Sequence, residues 1–434
     1  MPRFKFIETA PVPERALVVG VDTGKGDWPM ADSLDELERL VATADGVVVG
    51  RETQKLDSPS PKTFVGSGKA EEIAAAVRRL DVDVVVFDDE LSPSQQSNLE
   101  RIFGDPVKVI DRTALILDIF GRHAKTREGR LQVQLAQLQY LLPRLRGMWS
   151  HLMGEQTRGG IGSRFGQGES QLEVDRRLVR DRISALKREL LKLETRRETQ
   201  SKARWGSGIW RVALAGYTNA GKSTLLNALT DSGVYAKDEL FATLDPTTRS
   251  IDLAEGRKIT ITDTVGFIQK LPTGLIESFK STLAEVNEAD LVLEVVDASD
   301  SNWEKKRDAV NEILDQIGAK EIRRVLVFNK CDLLVPDDLS SLRVCHPDAV
   351  FVSAEEETGL AGLLHRIAEE ASAGDTTLTA LIPYEKGILM KMVHERCQII
   401  REQYQGGGLL VTARVSARMA ATLAPYQVGD SDSS

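Results

Sequence analysis

Cysteine is scarce, with Cys331, Cys345 and Cys397 the only three in 434 residues. Their number is odd and no C-x-x-C pair occurs, which excludes a disulfide framework and a cysteine-rich zinc site. Long apolar runs are missing as well. No stretch approaches the ~18 residues a membrane-spanning helix needs, and residues 1–10 (MPRFKFIETA) lack the apolar core of a signal peptide. The expectation is a cytoplasmic, reduced protein with no stable membrane association, a monomer when free. Positive charge is also in deficit, with 56 Lys and Arg against 65 Asp and Glu, a net charge of -9. That balance argues against a surface generally coated by nucleic acid.

What is present is an ordinary globular balance, 41% apolar and 28% charged, and the length suggests about three domains at roughly 150 residues each. The charge is unevenly spread. Residues 121–204 hold 19 Lys and Arg against 9 Asp and Glu, a local balance of +10, whereas the remainder holds 37 basic and 56 acidic groups. A basic segment in an acidic chain points to a polyanion that meets that segment.

Residues 1–115 alternate apolar runs (16–21, 46–49, 82–87, 107–110) with helix-like stretches (34–41, 70–80, 95–103). This alternation predicts a small N-terminal α/β domain with a mainly parallel sheet. Gly66-Ser67-Gly68-Lys69 lacks the rest of a phosphate-loop pattern and reads as a turn into a helix. In residues 116–204, Leu131, Leu135, Leu138, Leu142 and Leu145 step by 4, 3, 4, 3, and Val179, Ile183, Leu186, Leu190 and Leu193 do the same. Two such stripes around a loop predict an antiparallel helical hairpin with a coiled-coil seam. The loop, residues 158–168, has five glycines in eleven residues and carries Arg158, Gly159, Gly160 and Arg164. It reads either as a solvated loop or, favoured here, as a tip that inserts against a phosphate backbone.

Residues 205–372 open on a strand that runs into Gly216-Tyr217-Thr218-Asn219-Ala220-Gly221-Lys222-Ser223 and a helix beginning at Thr224. This is a complete G-x-x-x-x-G-K-S phosphate loop. Its main-chain N–H groups and the helix N-terminus suit phosphate, Lys222 suits the β- and γ-phosphates, and Ser223 suits Mg²⁺. Asp263-Thr264-Val265-Gly266 follows a strand 47 residues after Gly216. Asp263 would hold the Mg²⁺ shell, and the Gly266 N–H would sense the γ-phosphate. Between these elements, residues 241–248 begin with Phe241 and supply Thr243 (Thr247 second) for a switch that closes on the metal. Asn329-Lys330-Cys331-Asp332 ends another strand. The Asp332 carboxylate accepts both N1–H and N2–H of guanine, Asn329 anchors the loop, and the Lys330 stem covers the base. Ser353-Ala354 offers main-chain contact to guanine O6. Ser223, Thr243 and Asp263 are thus the expected metal-site residues; Lys222, Thr243 and Gly266 are the expected catalytic ones. Each fragment alone is commonplace, a turn or a helix cap. In this order around a phosphate loop they predict GTP/GDP and Mg²⁺ as ligands.

One further absence matters. Many GTPases place a water-orienting Gln directly after D-x-x-G, where this chain has Phe267 and then Ile268. Slow unassisted hydrolysis, accelerated by a partner, is expected. Asn219 is either a loop-ordering residue or a helper of K⁺ near the α- and β-phosphates. Residues 373–434 read as a small C-terminal α+β domain: a strand over 377–382, a helix over 388–402, a strand over 409–415 and a disordered tail containing Asp430 and Asp432. The fold class expected is therefore α/β, an N-terminal α/β domain plus the hairpin, a P-loop GTPase domain and the small α+β domain.

Outside the nucleotide motifs, four stretches resemble the HflX family of ribosome-associated GTPases. They are Asp89-Glu-Leu-Ser-Pro-Ser-Gln96 with Asn98-Leu-Glu100; Ile110-Asp-Arg-Thr113 leading to Ile119-Phe-Gly-Arg-His-Ala124; Leu131 through Leu142; and Gly159-Gly160-Ile161-Gly162 with Gln171-Leu-Glu-Val-Asp-Arg-Arg177. The resemblance covers about residues 14–415. It implies binding of the large ribosomal subunit in the GTP form, splitting or rescue of stalled or idle ribosomes under stress, and a glycine loop that probes near the peptidyl-transferase centre. Arg158, Gly159, Gly160, Arg164, Arg176 and Arg177 then become candidate contacts to ribosomal RNA, with no DNA partner. An apolar residue after D-x-x-G is also shared with ribosome-assisted GTPases. The loop departs from the family pattern at residues 162–170, and Glu355 stands where Lys is usual, so only main-chain recognition of guanine carries over there. Two other readings compete. In one, the hairpin pairs with another coiled coil and never touches RNA; in the other, the GTPase helps RNA modification, for which no chemistry is visible. Nothing in residues 1–115 supplies a phosphate loop for a separate ATP activity.

Overall fold

The computed structural model describes residues 13–26, 28–155, 165–205, 209–230, 240–241, 243–253, 257–271 and 285–428. The chain divides into two compact units, Met1–Leu191 with Lys270–Ser278, and Lys192–Gln269 with Phe279–Ser434.

In the first unit, strands β1 (Arg15–Asp22), β2 (Val47–Lys55), β3 (Val84–Phe87) and β4 (Lys108–Asp111) form one sheet in the order β2-β1-β3-β4, with every pair parallel. Parallel neighbours need crossovers, supplied by α1 (Met30–Thr43), α2 (Ser67–Leu80) and α3 (Pro93–Phe103). Both faces of β1 are apolar because both are covered. Leu17, Val19 and Val21 share a core with Ile73, Val77 and Leu99. On the opposite face Gly20 leaves room for α1, since a Cβ there would stand 2.5 Å from Met30 Sδ. Gly66 is the N-cap of α2, as its sequence suggests. Helix α3 starts on a reciprocal capping box, Ser92 with Gln95, with Pro93 in its first turn.

Asp111 ends β4 and caps α4 (Arg112–His123), accepting from Ala114 N–H at 2.8 Å. Strand and helix therefore join without a linker, and α4 runs across the junction expected at residue 115. Helices α5 (Arg127–Glu155) and α6 (Phe165–Trp205) follow. Arg127 pairs with Glu189, and Arg182 donates to Gln134. One partner advances by seven residues as the other retreats by seven, so the helices are antiparallel. Leu135 and Leu186 are buried at the seam. Of the loop expected over 158–168, residues 158–164, with Arg158, Gly159, Gly160 and Arg164, lie outside the described residues, and the expectation is corrected at its end, where residues 165–168 form the first turn of α6.

The second unit holds β5 (Trp210–Gly216), α7 (Lys222–Thr230), β6 (Thr247–Asp252), β7 (Lys258–Asp263), β8 (Leu291–Asp297), α8 (Trp303–Gln316), β9 (Arg323–Asn329), α9 (Pro336–Cys345), β10 (Val350–Phe351) and α10 (Leu360–Ser372). The sheet order is β10-β9-β8-β5-β7-β6, and only β6 is antiparallel to its neighbour. Its central strands are near-continuous apolar runs, as burial on both faces requires; Val212, Leu214, Leu291, Leu293, Val295 and Val327 are each at most 1% exposed.

The same unit contains an antiparallel sheet ordered β11-β13-β12, built from β11 (Thr376–Ile382), β12 (Gln398–Gln405) and β13 (Gly408–Val415), with helices α11 (Gly387–Arg396) and α12 (Ala417–Leu423). The helix expected over 388–402 is corrected here. It stops at Arg396, and residues 398–405 form β12. That strand is a largely exposed edge, so it lacks the clean alternation that marks a half-buried strand, and its Ile399 and Ile400 prolong the helical pattern. The signal that reveals it is Gly406-Gly407 between Gln405 and Gly408, a two-residue hairpin connection. The acidic tail is outside the described residues.

Candidate nucleotide site

The strands of the second unit end together at Gly216, Asp263, Asp297 and Asn329, at the carboxyl edge of the sheet where open α/β folds bind ligands. Gly216 packs so closely on β8 that a Cβ would lie 2.2 Å from the Val295 carbonyl oxygen. Asn219 takes the left-handed conformation, φ 62°, which Asn tolerates better than most residues; that accounts for an Asn there on backbone grounds. Gly221, φ 85°, leaves space for Asn329, whose Nδ2 would be 2.2 Å from a Cβ at that position.

Asn329, 1% exposed, donates from Nδ2 to the Ala220 carbonyl at 2.9 Å and accepts at Oδ1 from Ala354 N–H at 3.0 Å. It ties the phosphate loop to the Ser353-Ala354 turn. Ser353 is fully buried and exchanges main-chain hydrogen bonds with Thr358 at 3.0 Å, which shapes that turn. Lys330 has φ 60°, and its Nζ lies 2.8 Å from Asp297 Oδ2. Asp297 also accepts from Ser299, so it fixes the Lys330 stem; sequence reading passed over it, although a carboxylate ending an apolar strand was a signal. Asp332 is exposed beside the same turn.

Ser223 Oγ lies 2.6 Å from Asp263 Oδ2 and 2.7 Å from Thr243 Oγ1. The three expected metal-site residues therefore meet. Asp263 is fully buried, and its Oδ1 has no hydrogen-bond partner. Burial pushes its carboxyl up, against Lys222, Ser223 and Thr243. An all-oxygen set with an unpartnered buried carboxylate atom fits a hard divalent cation such as Mg²⁺. Among the described residues there is no cluster of three or more His, Cys, Asp or Glu that suits a metal. Lys222, 6% exposed, donates to the carbonyls of Gly216 at 3.0 Å and Tyr217 at 2.8 Å. Burial pushes its ammonium down to about 8, with Asp263 opposing.

The D-x-x-G segment is stitched to the phosphate loop. Thr218 N–H donates to the Phe267 carbonyl at 2.7 Å, and Phe267 N–H donates to the Gly216 carbonyl at 3.1 Å. Gln269 N–H donates to Tyr217 Oη at 2.7 Å, a contact between distant residues that no local pattern announced. Gly266 has no room for a side chain, because a Cβ would lie 2.9 Å from Thr218 Cγ2. Thr264 Oγ1 donates to the Leu214 carbonyl at 2.7 Å, and Val265 is 7% exposed. Phe241, φ 58°, is buried, while Thr243 and Thr224 are half-buried. On α6, Arg177 is exposed and Arg176 half-buried.

A sheet of this topology, with a phosphate loop, D-x-x-G and N-K-x-D gathered at its carboxyl edge, defines a P-loop GTPase. Comparisons with known proteins refine the class. Residues 31–121 match the family described as GTP-binding GTPase N-terminal, residues 123–204 the GTP-binding GTPase middle region, and residues 211–330 the 50S ribosome-binding GTPase family. The GTPase HflX of Caldanaerobacter subterraneus subsp. tengcongensis is 43% identical, covering 94% of this chain and 92% of that protein. The GTPase HflX of Escherichia coli is 44% identical over 87% and 88%, and that of Flavobacterium psychrophilum 50% identical over 74% and 76%. The chain belongs to the HflX family of GTPases; it binds GTP and GDP and hydrolyses GTP. Among its described residues, no helix is long and apolar enough to cross a membrane.

Proposed function

We propose that this GTPase binds the large ribosomal subunit through its basic hairpin, that the ribosome stimulates its GTP hydrolysis, and that it thereby splits or rescues stalled or idle ribosomes under stress. The observation that carries the proposal is the row of cations on α6: Arg177, Arg180, Arg182, Lys187 and Arg188 are all exposed, in a chain whose nucleotide domain matches a ribosome-binding GTPase family. Phosphate of ribosomal RNA is the polyanion that such a row suits. The loop residues Arg158, Gly159, Gly160 and Arg164, with Arg176 and Arg177, are the proposed contacts. The work divides among four parts, residues 1–115, 116–204, 205–372 and 373–434.

Within the nucleotide site, Lys222 bridges the β- and γ-phosphates, Ser223 and Thr243 ligate Mg²⁺, and Asp263 holds its shell. Gly266 N–H meets the γ-phosphate, Asp332 reads guanine N1–H and N2–H, the Lys330 stem covers the base, and Ser353-Ala354 meets O6. The remaining phosphate-loop residues, with Thr224, Phe241, Thr264 and Val265, line the pocket. A K⁺ ion beside Asn219 belongs to the proposal, and equal turnover in Na⁺ and K⁺ removes it.

The test is co-sedimentation of the full chain with purified large subunits, in GDP and in a non-hydrolysable GTP analogue, across a salt series. Binding that needs the analogue, falls steeply with salt and is lost in Arg176→Glu/Arg177→Glu supports the proposal. Binding insensitive to salt and to these substitutions turns the search to a coiled-coil partner.

A further inference from the structure

Phe267 occupies the place where many GTPases keep a water-orienting Gln. It is 2% exposed, and both its N–H and its carbonyl are engaged with the phosphate loop. Ile268 is 1% exposed. The reaction still needs a polar group beside the γ-phosphate, and the phosphate loop itself carries one. Thr218 is 7% exposed, and its Oγ1 is buried with no hydrogen-bond partner. Such groups are rare in folded proteins and call for an explanation.

The surroundings of Thr218 supply it. Its N–H is already committed to Phe267. Its Cα and Cγ2 lie 3.0 and 2.9 Å from the point where a Cβ on Gly266 would stand, and Lys222 Nζ lies 3.2 Å from that same point. The Oγ1 is borne by the same Cβ as Cγ2. The Thr218 side chain, the Gly266 main chain and the Lys222 ammonium thus converge on one small volume, and the last two are the groups assigned above to the γ-phosphate.

We propose that the Thr218 hydroxyl is a catalytic residue, the polar group that orients the attacking water. Its Oγ1 accepts a hydrogen bond from the water and donates its own hydrogen to a γ-phosphate oxygen. The water oxygen bonds to the γ-phosphorus as the bond from that phosphorus to the bridging oxygen breaks, and the electron pair leaves on GDP. The water's proton passes to a γ-phosphate oxygen, so the hydroxyl ends the cycle unchanged. This fills the role that an apolar Phe267 leaves open, and a partner that orders the site would then accelerate a reaction whose polar group is built in. The proposal rests on the nucleotide assignment made above.

The experiment compares Thr218→Val, which keeps the shape and loses the hydroxyl, with Thr218→Ser, which keeps the hydroxyl. Single-turnover GTP hydrolysis is expected to fall about 10²-fold in Thr218→Val, the usual cost of removing one group aimed at the transition state. GDP affinity should stay within a few-fold, trapping of GDP with aluminium fluoride should be lost, and Thr218→Ser should retain the rate. Should Thr218→Val not fold, Thr218→Ala carries the same comparison. A wild-type rate in Thr218→Val overturns the proposal, as does an equal loss of binding and turnover that Ser does not rescue. Lys222→Ala separates the two levels. If it binds GDP as the wild type does, the nucleotide assignment itself fails; if it loses GDP while Thr218→Val hydrolyses normally, only the role of Thr218 fails.

Discussion

Asn329 reaches the Ala220 carbonyl with one side-chain atom and the Ala354 N–H with the other, at 2.9 and 3.0 Å, with 1% of its surface exposed. It splices the phosphate loop to the turn assigned to guanine, while Asp332, three residues on, is exposed. Their substitutions should therefore separate. Asn329→Ala leaves two buried main-chain groups unmatched, at roughly 1–3 kcal/mol each, and should lower both thermal stability and GDP affinity. Asp332→Ala should leave the melting temperature within a degree or so of wild type, as most surface changes do, while guanine affinity collapses. Calorimetry of both variants, with and without GDP, distinguishes them; a stable Asn329→Ala that still binds GDP contradicts the splice.

Lys222 gives a pH dependence whose sign differs for folding and binding. Its ammonium is pushed down to about 8 by burial, from an ordinary 10.5. Below pH 8 the ligand-free folded chain carries the cost of a buried charge. Between pH 8 and 10.5 the folded chain has released that proton and the unfolded chain has not, so the contribution of Lys222 to stability rises with pH. Phosphate prefers the charged ammonium, so GDP affinity should fall as pH passes 8, by at most about tenfold per pH unit for one proton. Titration calorimetry from about pH 7 to 9.5 should show this decline in the wild type and a flat, weak profile in Lys222→Met.

Arg112 is buried between two acids. Its guanidinium contacts Asp88 and lies 2.6 Å from Glu36, and Asp88 also meets Lys270 Nζ at 2.7 Å within the same unit. Lys270 also pairs with Asp89 at 2.5 Å, so three carboxylates share two cations. Burial raises the Asp88 carboxyl, but Arg112 and Lys270 outweigh it and hold the group below the usual carboxylate range. Its stabilising contribution is present above the unfolded pKa of roughly 3.9 and is lost as pH falls through and below it. Arg112→Met strands a buried charge and should cost about 3–5 kcal/mol. Urea unfolding should show this loss, smaller below about pH 4; a neutral effect at neutral pH contradicts the network.

Much of the nucleotide site was legible because phosphate loops, D-x-x-G and N-K-x-D are local patterns attached to apolar strands. The parallel sheet of the N-terminal domain was legible from strands whose burial on both faces leaves unbroken apolar runs such as Val84–Phe87. What escaped was non-local or exposed. Arg112 and Glu36 stand 76 residues apart, and Tyr217 and Gln269 stand 52 apart; no periodicity encodes such pairs. Arg257 is buried against Asp375 and the Ala371 carbonyl, more than a hundred residues along the chain. Strand β12 escaped for the opposite reason, because an edge open to solvent places little constraint on which residues alternate.

Steady-state GTP turnover in K⁺ buffer, with and without purified large ribosomal subunits at low and moderate salt, bears most directly on the proposed function. A large stimulation that weakens with salt, and that disappears in Lys222→Ala or on deletion of residues 159–168, is expected of a ribosome-activated GTPase. Equal turnover with and without subunits, and no salt-sensitive binding, would leave the GTPase standing and remove the ribosome as its activator.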